Sequence, residues 1–101
     1  MKIEPREIKR GTIADVIPGE TYPRQVVIRR KMIEDMVFMF DKSMYSFDVY
    51  TLLTGRMTRI CTIKNAKVYF EKAIEIWKKF EKLGDTVEIY DVTPIEKELT
   101  L

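Results

Sequence analysis

The stretch "NAKVYFEKAIEIWKKFEKLG", residues 65–84, decides the fold class because it is the clearest secondary-structure signal in the chain. Its apolar residues recur every three or four positions and so form one stripe along a helix. They are Ala66, Tyr69, Phe70, Ala73, Ile74, Trp77, Phe80 and Leu83. Asn65 can cap the start, and Gly84 suits the left-handed position that ends a helix. We therefore predict one long amphipathic helix, residues 65–83.

Two stretches beside this helix have the pattern of strands. Residues 86–92, "TVEIYDV", alternate apolar with polar side chains as a half-buried strand does. Upstream, "MYSFDVYTLLTGRMTRICTI", residues 44–63, predicts a hairpin with its turn at Thr54 and Gly55. The order strand, helix, strand predicts a β-α-β unit in the C-terminal half, right-handed if both strands share a sheet.

Residues 32–42 fit two structures, and the choice between them sets the topology. As a helix, this segment gives the order β-α-β-β-α-β, which is ferredoxin-like. As a strand, it gives an antiparallel meander. We favour the strand, because Phe38 and Met39 would be exposed on a helix. The fold class predicted is α+β, a mainly antiparallel sheet packed against one long helix, with the ferredoxin-like order as the alternative.

The two ends of the chain give weaker signals. Residues 11–31 predict two strands joined by a turn with Pro18 and Gly19 at its centre. Near the other end, "TPIE" predicts a capped helical turn from Pro94 to Leu99. The chain of 101 residues has the length of one domain, so we expect a single domain, residues 1–101.

Residue usage argues against catalysis. The chain has no His and one Cys, which excludes nucleophile–His pairs and zinc sites, and it has no glycine-rich phosphate loop. Asp41 with Asp48, or Glu34 with Asp35, could bind Mg²⁺, although turns and solvated faces explain such residues more simply. We expect a non-enzymatic protein without a cofactor or a small-molecule substrate, and we expect Cys61 to be a small buried hydrophobe.

The basic stretch "RQVVIRRKM", residues 24–32, suggests a nucleic-acid interface. Residues 1–31 carry eight cations and four anions, and each phosphate neutralised by a cation adds salt-sensitive affinity. The candidate contacts are Arg24, Arg29, Arg30 and Lys31, and the candidate stacking residues are Tyr45, Tyr50 and Tyr90. The simpler interpretation is that these cations keep a strand end solvated. Binding of DNA or RNA is therefore the alternative function.

The apolar run "MVFMF", residues 36–40, suggests protein association instead. The chain has five Tyr, five Phe, one Trp and six Met, many for its length. The candidate interface residues are Met36, Phe38, Met39 and Phe40, although filling the core would also explain them. A sheet with one helix leaves one face that a second subunit could cover, and the N-terminal segment of the chain could cover the same face instead. We predict a small binding or assembly module that acts as a homo-oligomer, a dimer in the simplest case.

Targeting signals are absent from the sequence pattern. The N-terminal "MKIEPRE" has an acid and a proline where a signal peptide needs an apolar core. The charge-free stretch from Val49 to Gly55 is far shorter than the roughly 18 residues of a membrane span. We expect a soluble, cytoplasmic protein with no membrane partner.

Overall fold

The computed structural model describes residues 9–31, 33–41 and 45–95. Within these residues one α-helix packs on a mostly antiparallel sheet, which confirms the α+β class. The elements are β1 (Arg10–Gly11), β2 (Thr21–Tyr22), β3 (Gln25–Arg29), β4 (Asp35–Phe40), β5 (Ser46–Leu53), β6 (Arg56–Lys64), α1 (Ala66–Lys82), β7 (Thr86–Tyr90) and β8 (Thr93–Pro94). A short 3-10 turn, Ile13–Asp15, lies between β1 and β2.

The main sheet has six strands in the order β1-β7-β3-β4-β5-β6, and each neighbouring pair is antiparallel. Strands β2 and β8 form a separate two-stranded ribbon. Strands β6 and β7 follow each other through α1 and belong to the same sheet, but β5, β4 and β3 lie between them. The predicted β-α-β unit is not confirmed, because its two strands share the sheet but are not neighbours in it.

Strand β4 settles the ambiguity of residues 32–42 where they are described. Residues Asp35–Phe40 form a strand that pairs with β3 on one side and β5 on the other. Its side chains bury on both faces of the sheet, with Val37 on one face and Phe38 and Phe40 on the other. The meander is confirmed and the ferredoxin-like alternative is wrong, because a helix here would expose part of this apolar run.

Residues with positive φ shape three of the connections between elements. Thr54 and Gly55 have φ values of 49° and 80°, the pattern of a type I′ hairpin turn, and confirm the predicted turn. Gly84 has a φ of 99° just beyond α1, as predicted. Asn65 differs from the expectation: its φ is 59°, and its side chain makes no capping hydrogen bond. It turns the chain from β6 into α1, a left-handed conformation that asparagine tolerates.

The predictions for the two ends are partly wrong. The strand expected between residue 11 and the turn at Pro18 and Gly19 is not formed. Only Gly11 belongs to a strand, β1, and the 3-10 turn follows it. Pro94 begins no helix, because Thr93–Pro94 pairs with β2 and the N–H of Ile95 donates to the carbonyl oxygen of Glu20 at 2.8 Å. The rest of the predicted C-terminal turn, residues 96–99, lies outside the described residues.

The core lies between α1 and one face of the sheet. Its largest side chain is Trp77, fully buried against the edges of three phenylalanine rings, with centroids 5.7, 5.9 and 6.2 Å away. These rings belong to Phe38, Phe40 and Phe70. Two members of the predicted apolar stripe do not join the core, since Tyr69 and Leu83 are 48% and 78% exposed. The helix, residues Ala66–Lys82, otherwise confirms the prediction.

We expect Gly84→Ala to lower the free energy of unfolding by about 1 kcal/mol, because alanine is strained at a φ of 99°. An added Cβ would also lie 3.4 Å from Nζ of Lys31. Urea denaturation would measure the change. Leu83→Ala is the control, since Leu83 is exposed and has an ordinary helical φ of −78°. Equal stability of Gly84→Ala and the parent protein would contradict the strain.

Candidate functional site

The two faces of the sheet differ in what covers them. Side chains that point towards α1, such as Val26 and Ile28, join the core. We call the opposite surface the open face; it includes Arg10, Gln25, Val27, Arg29, Asp35, Val37, Met39, Ser46, Asp48, Tyr50, Leu52, Met57, Arg59, Lys64, Glu88 and Tyr90. The helix, the 3-10 turn and the ribbon all contribute to the core side. Within the described residues, the open face is therefore made by strand side chains alone.

A buried carboxylate, Glu88, organises one half of the open face. It is 4% exposed and accepts hydrogen bonds from the Tyr90 hydroxyl at 2.6 Å and from Nε of Arg29. The guanidinium of Arg10 lies 2.9 Å from Oε2 of Glu88, the oxygen that also accepts from Tyr90, whereas Arg29 donates to Oε1. These four residues tie together β1, β3 and β7, and Arg29 extends the cluster to Asp35 of β4, 3.5 Å away.

The cluster changes the pKa of its members in the directions that hydrogen bonding requires. The Tyr90 hydroxyl and the two arginines hold the pKa of Glu88 below its usual value, against the opposing effect of burial. The same hydrogen bond raises the pKa of Tyr90, and burial adds to that rise. Glu88 is thus an ionised structural partner at neutral pH. It has neither the raised pKa nor the free access of a general acid.

The predicted nucleic-acid contacts do not meet on one surface. Arg29 lies on the open face and is engaged by Glu88 and Asp35. Arg30, the next residue, lies on the opposite side with its guanidinium carbon 5.2 Å from the centroid of the Phe80 ring, a cation–π contact. The alternation of side chains along an extended chain separates these two cations.

The other two cations of the basic stretch, Arg24 and Lys31, lie in two further environments. The Nε atom of Arg24 is buried and has no hydrogen-bond partner among the described residues. Lys31 is exposed, and its backbone N–H lies 3.4 Å from a carboxylate oxygen of Asp85, close to the end of α1. Nucleic-acid binding through these residues stays a prediction. It requires that replacing Arg29, Arg30 and Lys31 together with alanine abolish binding.

The four predicted interface residues divide between the two sides of β4. Phe38 and Phe40 are core residues, each 5% exposed. Met36 lies on the same side and is half-buried. Met39 lies on the open face and is 38% exposed, so it is the one member of this set that a partner could reach there without rearrangement of the core.

Several of the tyrosines and carboxylates named from the sequence, namely Tyr50, Tyr90, Asp35 and Asp48, make contacts within the sheet. Tyr50 lies on the open face with its hydroxyl 3.4 Å from Asp48, which also accepts a hydrogen bond from Thr62. Asp35 accepts from the backbone N–H of Arg30 at 3.1 Å. In the described residues no group of three or more His, Cys, Asp or Glu side chains could hold a metal ion.

A second surface lies between α1 and strand β6, which α1 leaves exposed. The helix packs closest to β7 and the 3-10 turn, on the other half of the sheet. Beside it, a groove of about 330 Å³ opens between the helix and the far strands. Its apolar lining includes Phe47, Val49, Cys61, Ile63, Tyr69 and Ile76. We call this surface the β6 groove.

The sequence interpretation missed this groove, and Cys61 shows why. We expected Cys61 to be buried, but it is exposed, because β6 is an edge strand that α1 does not cover. Ile76 was not part of the predicted stripe. It is 39% exposed and lies at the rim of the groove, where it adds apolar surface. One signal was available: residues 55–64 contain three cations and no acid.

Comparison with known proteins finds no matching family model, no similar curated protein and no similar solved structure. None of the helices formed by the described residues has the length and apolar character needed to cross a membrane.

Proposed function

We propose that the protein is a small, non-enzymatic assembly module that acts as a homo-oligomer, with two copies meeting through the open face. The observation that carries this proposal is the one-sided packing of the described sheet. Val27 and Val37 at the centre of the open face are already buried in one copy, at 7% and 2% exposed, so the apolar surface left there for a partner is Met39, which is 38% exposed. Met57 pairs with Leu52 on the same face and is 46% exposed.

The charges on this face support a second copy as the partner. An isologous interface brings a patch against itself, so the patch must carry both signs of charge. The register places four cations and three anions here, namely Arg10, Arg29, Arg59 and Lys64 against Asp35, Asp48 and Glu88. A nearly balanced face with an apolar centre suits self-association better than binding to a polyanion.

We expect Met39→Glu to weaken self-association at least about tenfold, because the interface would have to bury an unpaired carboxylate. Sedimentation velocity over a concentration series would measure the dissociation constant. Val68→Glu is the matched control, since Val68 is 75% exposed on α1 and lies away from the open face. Equal dissociation constants for Met39→Glu and the parent protein would remove the open face from the interface.

A cytoplasmic location and the lack of catalytic activity belong to the same proposal. The lack of catalytic activity rests on residue usage, above all on the absence of His, and the location rests on the sequence expectation alone. The cluster at Glu88 supports a structural role for the charged residues of the open face, because its arginines and tyrosine are engaged with the carboxylate.

A further inference from the structure

We propose that strand β6 and the β6 groove bind an acidic, extended segment of a partner protein. The segment would pair with the edge of the sheet as an additional strand and place apolar side chains in the groove. This inference does not rest on the homo-oligomer, because it uses the edge of the sheet and the helix side and shares with the open face only the two cations Arg59 and Lys64.

The edge itself offers the backbone for such pairing. Strand β6 has nine residues, Arg56–Lys64, and in the described part of the chain it pairs with β5 only. Every residue of the strand except Ile63 is exposed. A long exposed edge strand presents unpaired N–H and C=O groups, which recruit another strand. The opposite edge, β1, has two residues and offers far less.

The groove beside this edge fits side chains of a peptide. Its volume of about 330 Å³ is at the lower end of ligand pockets, so it suits a few apolar side chains better than a cofactor. Tyr69 and Ile76 form its helix wall and are 48% and 39% exposed, while Phe47 and Val49 lie at its sheet wall and are already buried, so the exposed apolar surface is mainly that of the helix wall. Filling the groove would remove this apolar surface from water.

The charge around the groove identifies the partner as acidic. Strand β6 carries Arg56, Arg59 and Lys64 and no acid. On the helix side Lys72 lines the groove, and Lys79, two turns further on, falls on the same side of α1. In the described part of the chain, none of these five cations lies within ion-pair distance of a carboxylate.

A second copy of this chain fits the edge poorly. Antiparallel pairing of β6 with itself would bring the three cations of each strand together without an acid between them, and like charges across a pair destabilise it. The ladder between β5 and β6 also shifts register between Val49 and Tyr50, which leaves Ile60 as an extra residue. Bulges and charged side chains on an edge strand commonly prevent it from pairing with the same strand of another copy.

The register predicts the pattern of the bound segment. Cys61 and Ile63 point to the groove side, whereas Arg59 and Lys64 pair with open-face residues and point to the other side. A strand added beside β6 follows the same alternation. Its apolar residues would lie at every second position over the groove, and its Asp or Glu residues would lie between them, beside Arg59 and Lys64.

The probe is a fluorescein-labelled nonapeptide that alternates glutamate with valine, titrated with the full chain and followed by anisotropy. We expect saturable binding that weakens with salt, because screening reduces the charge contribution. Three control peptides separate the contributions: lysine in place of glutamate, serine in place of valine, and N-methylation of alternate backbone amides. Each should bind at least about tenfold more weakly than the probe.

Charge reversal on the protein gives the matched comparison. We expect Arg59→Glu/Lys64→Glu to weaken binding about tenfold or more, and Lys67→Glu/Lys78→Glu, with the same change of net charge on exposed helix positions, to have little effect. Circular dichroism would verify that both variants fold. Binding should persist in Met39→Glu even if that variant is monomeric, which separates this inference from the proposed homo-oligomer.

Several results would overturn the proposal. They are no binding of the probe at about 1 mM, equal binding of the lysine peptide, or equal loss in both charge-reversal variants. Displacement of the probe by a single-stranded oligonucleotide at lower concentration than by unlabelled peptide would assign the cations to nucleic acid.

Discussion

Trp77→Ala is expected to lower the free energy of unfolding by about 4 kcal/mol, the largest effect of any single substitution proposed for this chain. Trp77 is fully buried and touches three phenylalanine rings, so alanine would leave a cavity that rigid rings cannot refill. A domain of this size has a total stability of roughly 5–15 kcal/mol. Urea denaturation followed by circular dichroism would measure the loss.

Trp77→Phe is the informative control for that experiment. The Nε1 atom of Trp77 is buried without a hydrogen-bond partner among the described residues, so phenylalanine loses ring volume but also removes an unsatisfied donor. We expect a loss of about 1–2 kcal/mol, well below that of alanine. A loss below about 1 kcal/mol in Trp77→Ala would contradict the central position of this side chain in the core.

The second large effect is expected at Glu88, where Glu88→Gln should lower the free energy of unfolding by about 2 kcal/mol at neutral pH. The amide keeps the shape of the side chain but cannot balance the two guanidinium groups of Arg10 and Arg29. The arginine side chains are 62% and 55% exposed, so water compensates part of the loss. Glu75→Gln, on the exposed side of α1, is the control.

The pH dependence of Glu88→Gln follows from the direction of the pKa change. The folded protein lowers the pKa of Glu88, so its stabilising contribution is complete above the unfolded value of about 4.3 and is lost as the pH falls through the folded value. The stability difference between the parent protein and Glu88→Gln should therefore be largest near neutral pH and shrink below about pH 4. A difference that stays constant to acidic pH would contradict the ionised cluster.

Tyr90 gives the opposite dependence at the other end of the pH scale. Its folded pKa is raised by the hydrogen bond to Glu88, so the neutral hydroxyl stabilises the fold. That contribution is complete below the unfolded pKa of about 10 and is lost as the pH rises through the folded value. Tyr90→Phe should abolish the alkaline part of this dependence in the same denaturation series.

Local patterns predicted the elements of this fold well where one signal dominated. The stripe through Phe70, Ala73 and Trp77 predicted α1, and the pair Thr54 and Gly55 predicted the hairpin turn, because each pattern fits only one local geometry. Sheet order was not predictable in the same way. Nothing local to β7 indicates that it pairs with β3 and β1, since that pairing depends on contacts far apart in the chain.

The candidate sites show the same limit. The sequence placed Arg29 and Arg30 together in one basic cluster, but strand alternation puts them on opposite sides, one with Glu88 and the other over Phe80. Exposure of Cys61 depends on where α1 lies over the sheet, and the periodicity of the helix does not contain that information. Faces within an element can be predicted from spacing, whereas coverage of a face depends on the whole fold.

The mass of the unmodified chain in solution tests the proposed function most directly. Size-exclusion chromatography with light scattering should be run from about 1 to 200 μM, a range that spans dissociation constants typical of weak and moderate dimers. We expect about 24 kDa at the upper end, twice the 12.0 kDa of one chain. A mass of 12.0 kDa at every concentration would contradict the homo-oligomer and leave the open face as a solvated surface.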